Sequence, residues 1–202
     1  MAASSKKKYA LKKLTVPALV KEVADVLGMD EGSALNAARR LRESGYLSQE
    51  GHGRGAAAAT SKDAALLVST LMQNVSSIYI ADVARGLLSL RPDPEGVADG
   101  PHFDLGKDPV AALAKVLDYE RSGAQPYDEA YLQIPVHPGG GLFVKFEFFC
   151  GDKRPFLTYT MAGRRDERLA EILSRIGPKK VTREWKIDHW VIQEVAKRLG
   201  AK

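Results

Sequence analysis

Cysteine is almost absent: Cys150 is the single one in 202 residues. One thiol closes no internal disulfide, which fits a reducing, cytoplasmic setting. Its place directly after Phe146-Glu-Phe-Phe149 reads as packing at a strand end rather than as a nucleophile. Histidine is scarce as well. Positions 52, 102, 137 and 189 lie far apart and share no metal-ligand spacing with Cys150. Long apolar runs are missing. None approaches the ~20 residues that span a bilayer, and no apolar stretch comes after the first lysines as it would in a secretory signal. The patterns Gly-x-Ser-x-Gly and His-Glu-x-x-His do not occur. The glycines of His137-Pro-Gly-Gly-Gly141 lack the Lys-Ser/Thr and the opening helix of a phosphate loop, and read as a hairpin turn. The expectation is therefore no enzyme, no metal, no cofactor and no membrane partner.

Charge of one sign is not in large excess, but its placement is uneven. Residues 1–60 carry ten Lys/Arg against six Asp/Glu, residues 61–129 six against eleven, and residues 130–202 fourteen against eight. The net charge of +5 is thus a basic–acidic–basic layout. Positive charge gathered at the two ends favours a polyanionic partner through counterion release. Solubility alone is the plainer alternative.

Residues 1–14 read as a basic arm with Lys6, Lys7, Lys8, Lys12 and Lys13 and no acid. Thr15-Val-Pro17 opens a helix, with Thr15 as N-cap and the proline in the first turn. Leu19, Val20, Val23, Val26 and Leu27 recur at helical spacing, and Gly28 ends the stripe. Asp30 caps a second helix that runs to Ser44 and stops at Gly45. At ~100° per residue, Ala34, Leu35, Ala38 and Leu41 fall on one side of it. Ser33, Asn36, Arg40 and Glu43 fall on the other, with Arg39 flanking. Tyr46-Leu47 starts a strand, Gly51-His-Gly-Arg-Gly55 turns, and residues 56–60 return as its partner strand. Ser61 and Ser77 read as caps of two further helices, ending near Asn74 and Leu90. Four prolines and three glycines between 91 and 109 read as a linker. Asp108-Pro109 opens a helix to about Arg121.

From Tyr131 the hydrophobic period changes to two. Strands are expected at 131–136, 142–150 and 156–161, then a helix from Asp166 through Ile176, a strand at 181–187 and a last helix from Asp188 to Leu199. Most of the aromatic side chains gathered in this part are expected in its core.

The chemistry lies in the second helix and the glycine-rich run beyond it. Arginine suits guanine, asparagine suits adenine, and serine suits either. The helix N-terminus, with its free N–H groups, can sit against a phosphate. Gly51, Gly53 and Gly55 permit close backbone approach, with His52 and Arg54 supplying charge. The plainer alternative is a helical hairpin and an ordinary loop, with the arginines on a solvated face.

The run Val23-Ala-Asp-Val-Leu27-Gly-Met, then Ala34-Leu35 to Ala38-Arg-Arg-Leu41-Arg-Glu-Ser-Gly-Tyr46-Leu47, then Gly51-His-Gly-Arg-Gly55, resembles a winged helix-turn-helix DNA-binding domain over residues ~15–60. The chain is also similar in style to small phage-encoded regulators. The resemblance implies that the second helix enters the major groove and the hairpin tracks the backbone. It implies helix contacts by Ser33, Asn36, Arg39 and Arg40, and wing contacts by His52 and Arg54. A full helix precedes the pair in most members. Only residues ~5–14 are available here, so either that helix is short or the helix after the wing takes its place in the core.

The expected fold is α+β: an N-terminal winged helix-turn-helix (15–60) behind the basic arm (1–14), a helical connector (61–90) and a linker (91–108), with a C-terminal small antiparallel sheet with two helices at 109–202. The expected function is sequence-specific binding of double-stranded DNA by a transcriptional regulator, as a homo-oligomer and preferably a dimer. A phage DNA-packaging or replication accessory protein, and an interaction adaptor that binds no DNA, are the alternatives.

Overall fold

The computed structural model describes residues 14–48, 58–97, 105–136, 143–160 and 183–200. The arm lysines Lys6, Lys7, Lys8, Lys12 and Lys13, the wing residues His52 and Arg54, the turn at 137–141 and the helix expected at 166–176 lie outside these residues. The described part contains six α-helices and five strands. In chain order they are α1 (Val16–Val26), α2 (Glu31–Glu43), α3 (Ser61–Leu71), a 3-10 turn (Ser77–Tyr79), α4 (Ile80–Ser89), β1 (Arg91–Val97), α5 (Pro109–Ser122), β2 (Glu129–Val136), β3 (Val144–Phe149), β4 (Phe156–Thr160), β5 (Arg183–Ile187) and α6 (His189–Arg198).

The helix ends obey local chemistry with some corrections. Asp30 accepts the Ser33 N–H at 2.7 Å, and Asp108 accepts the Ala111 N–H at 2.8 Å, so both act as the caps expected. Thr15 occupies the cap position of α1, but its hydroxyl makes no capping bond. Thr60, not Ser61, caps α3. Its hydroxyl accepts the Asp63 N–H while the Asp63 carboxylate accepts the Thr60 N–H, a reciprocal capping box. Between α1 and α2, and again after α2, the chain turns at positive φ: 64° at Gly28 and 77° at Gly45. A side chain at either would strain the backbone.

The five strands form one antiparallel sheet in the order β1-β4-β3-β2-β5. Its inner face carries Leu132, Ile134, Val144, Phe146, Phe148, Tyr159 and Ile187, all buried. The alternation expected from the sequence is present: Val144, Phe146 and Phe148 point in, while Lys145, Glu147 and Phe149 are partly exposed.

Three expectations are corrected. Residues 91–97, expected as linker because of Pro92 and Pro94, form β1 at the sheet edge, paired with β4 through Arg91–Thr160 and Pro92–Tyr159. An edge strand has one side without a ladder, so a missing N–H costs nothing there. The helix after residue 60 is no peripheral connector. Ten of the eleven residues of α3 are buried, and it packs against α1, α2, α4 and α5. The helix beyond segment 49–57 thus supplies much of the core against which α1 and α2 pack, while residues 5–13, where the other alternative puts a short preceding helix, lie outside the described residues. Finally, Tyr46–Ser48 form no strand, and Ala58 bridges antiparallel to Thr15 rather than back to Leu47.

One contiguous hydrophobic cluster runs from Leu19 in α1 to Ala196 in α6, so the helical half and the sheet share a core. Arg198 joins its two ends. It pairs with Glu22 on α1, with Asp25 at 3.0 Å and with Glu194 at 2.9 Å.

Candidate nucleic-acid interface

The helix α2 is anchored by small residues. Ala34, Ala37, Ala38 and Leu41 are buried, and α1 faces them with Leu19, Val20, Val23 and Ala24. Alanines allow close approach of the two helices, while Leu41 alone contributes roughly 1.5–3 kcal/mol by burial. Leu35, expected on the buried side, is half-buried, and Ala37 takes the inner place.

The opposite face presents Ser33, Asn36, Arg39 and Arg40, all exposed. The structure therefore puts the four helix residues singled out from the sequence on one solvent-facing surface. Two of them converge on a shared acid. Arg39 Nε donates to Glu43 Oε1 at 2.7 Å, and Arg40 lies 3.5 Å from Glu43 Oε2. The Arg39 hydrogen bond, then the charges of Arg39, Arg40 and Arg42, holds the Glu43 carboxyl below its usual range.

Charge is polarised along α2. Its first turn carries Asp30 and Glu31, and its last turn Arg40 and Arg42. That order suits the helix dipole. It also weighs against a phosphate at the helix N-terminus. The Ser33 N–H is already taken by Asp30, whose carboxyl is held low by that backbone bond and by the Ser33 hydroxyl. An approaching phosphate would meet two carboxylates there, of which Glu31 is paired with Lys21 at 2.6 Å. The cationic end of the surface is the C-terminal one.

Segment 49–57 continues from that end, and the structure fixes both of its flanks. Ser48 donates to the Asp63 carboxylate from its backbone N–H (3.0 Å) and its hydroxyl, and Thr60 does the same from N–H (2.9 Å) and hydroxyl (2.7 Å). Asp63 itself is buried. Beside it, the Ala59 N–H donates to Leu14 O at 2.7 Å. One carboxylate on the central helix thus holds the residues before and after the glycine-rich run.

A groove of about 590 Å³ opens at the other end of α2, lined by Met29, Ser33, Asn74, Lys186 and Val191 among others. Lys186 comes from β5, some 150 positions beyond Ser33 in the chain. Sequence reasoning places it only as the polar residue of an alternating strand. The missing signal is tertiary: nothing local shows that β5 ends against the turn between α1 and α2.

Among the described residues, no cluster of three His, Cys, Asp or Glu side chains could hold a metal ion. No described helix is long and apolar enough to cross a membrane. Burial, then the Asp128 charge, pushes the Cys150 thiol above its usual range and keeps it from the thiolate form. No protein-family model, curated protein or solved structure matches the chain.

Proposed function

We propose that this chain binds double-stranded DNA in a sequence-dependent way and acts as a transcriptional regulator, with α2 as the reading element. The observation that carries the reading is the exposed face of α2. Ser33, Asn36, Arg39 and Arg40 stand together on a helix held rigid by its alanine face, with basic residues at its C-terminal end. Asn36 has the paired donor and acceptor that match adenine, and Arg40 the fork that matches guanine. Lys6, Lys7, Lys8, Lys12, Lys13, His52 and Arg54 add positive charge in the flanking sequence and serve the phosphate backbone. The protein positions and reads; it performs no chemistry on the DNA. A dimer doubles the number of bases read.

The test is fluorescence anisotropy with duplexes selected from a random pool, repeated across salt concentrations. The expected result is affinity that falls linearly on a log–log plot against salt, with a preferred sequence. Arg40→Ala should cost about 1–3 kcal/mol on the preferred site and little elsewhere. Binding to no duplex at low salt, or binding indifferent to salt, refutes the reading.

A further inference from the structure

Away from α2, the helices α5 and α6 enclose a carboxylate and an imidazole that the proposed function does not use. The Glu120 side chain is 5% exposed and that of His189 13%. Glu120 Oε1 has no hydrogen-bond partner, and His189 Nδ1 lies 3.8 Å from it. That nitrogen is already engaged: it accepts the Ala130 N–H of β2 at 3.1 Å. An accepting Nδ1 has no proton, so the neutral ring carries its hydrogen on Nε2. His189 comes two residues after β5, and its ring continues the ladder where Leu132 pairs with Ile187. Tyr127 closes the site from the segment before β2. Its ring stands edge-on to His189 at 6.4 Å, and its hydroxyl donates to Val116 O at 3.3 Å. Burial, then the Glu120 charge and hydrogen bond, raises the Tyr127 hydroxyl well above its usual range, so it stays a neutral donor.

We propose that Glu120, His189 and the Ala130 N–H form a proton-operated latch between α5, α6 and β2. With a neutral ring, α6 is bonded to β2 through Nδ1. A proton taken from solvent onto Nδ1 removes the only lone pair that Ala130 can use. The same proton turns Nδ1 into a donor, and the unpaired Glu120 Oε1 is the acceptor in reach. The contact from α6 passes from β2 to α5, and the Ala130 N–H is released. Of the other polar groups, Tyr127 donates to Val116 O and is also hydrogen-bonded to the Glu120 carboxylate, whose Oε1 is left without a partner. Glu129 accepts from the Tyr131 hydroxyl, Asp188 pairs with Lys186 at 3.5 Å, and Asp128 accepts the Gly151 N–H. From α5, Tyr119 meets Tyr127 edge to face, and β3 contributes the apolar Phe148. The first turn of α6 carries Val191, which lines the groove beside Ser33. The latch therefore acts on an element that borders the α2 surface.

Two measurements on the full chain test it, each made at an upper pH where NMR shows the His189 ring neutral and at a lower pH where NMR shows it protonated. In an NMR titration the Ala130 amide signal should track protonation of the His189 ring. In His189→Asn, whose side-chain oxygen accepts from Ala130 but takes no proton, the Ala130 signal should stay put. A double-mutant cycle of Glu120→Gln and His189→Asn, read by denaturant unfolding, should show little coupling at the upper pH. At the lower pH it should show ~5-fold or more in the unfolding constant. An Ala130 amide that ignores the ring's titration, or coupling that stays flat across the window, overturns the latch. Should Glu120→Gln fail to fold, the Ala130 signal in wild type and His189→Asn decides alone.

Discussion

Glu43 decides how the candidate surface behaves before any partner arrives. It sits one turn beyond Arg39 and holds that guanidinium and its neighbour. Such an exposed pair contributes little to stability. On the proposed function its weight is in competition, because a phosphate would have to displace it. Glu43→Gln should raise affinity for any duplex by ~2- to 5-fold, the worth of a surface ion pair. Anisotropy titration checks this, and equal or weaker binding would overturn the competition. Tyr127 gives a second residue-scale expectation. A hydroxyl whose folded value is raised favours folding fully below the ordinary ~10 and progressively less as pH climbs past it. Tyr127→Phe should therefore flatten the alkaline limb of the stability curve, measured by urea unfolding at rising pH. The outward set of α2 is legible in the sequence because one period of 3.6 residues separates Ser33, Asn36 and Arg40 from Ala34, Ala38 and Leu41. The partnership with Glu43 is legible only as spacing. Lys186 is not legible at all, since its neighbour Ser33 is close in space and remote in sequence.

Among the elements, α3 departs most from its sequence pattern. Its apolar residues suggest an amphipathic helix with an outer side. The structure buries Ser69, Thr70 and, just past its end, Gln73 as well. Two of their polar groups turn inward on the helix: Thr70 Oγ1 donates to Leu66 O at 2.7 Å, and Gln73 Nε2 to Ser69 O at 3.0 Å, while Gln73 Oε1 is buried without a partner. Back-bonding of this kind lets polar residues sit in a core, so composition hides the burial. The strand β1 is hidden for a different reason. Proline reads as a breaker, and whether a strand lies at a sheet edge is not written in its own residues. The Asp63 clamp belongs to the same scale. Asp63→Ala removes the acceptor for Ser48 and for the Thr60 cap together. It should cost about 2–3 kcal/mol by urea denaturation, more than a helix cap alone. A loss under about 1 kcal/mol would show that water replaces the carboxylate without difficulty.

For the whole molecule, the shared core sets the expectation. Helices expected as an N-terminal binding unit and strands expected as a C-terminal one contribute side chains to a single cluster. Thermal unfolding should then be one transition, coincident by far-ultraviolet circular dichroism and by tryptophan fluorescence. Two separated transitions would show that the halves are stable independently. Arg198→Ala, which breaks three contacts of α6 with α1 and with itself, should lower that single transition rather than split it. The content of helices and strands is largely readable from periodicity; their union in one body is not, because it depends on contacts between α1 and α6 at opposite ends of the described chain. The Asp63 carboxylate has a last consequence, for how this chain can change. Ser48 and Thr60 are held to the same side chain, so the sequence between them is closed at its base whatever its length. Lengthening such a span costs only ~0.6 kcal/mol per doubling. An insertion between Ser48 and Thr60 should accordingly cost folding little in closure entropy, because the clamp that joins its two ends lies in the body and not in the inserted chain.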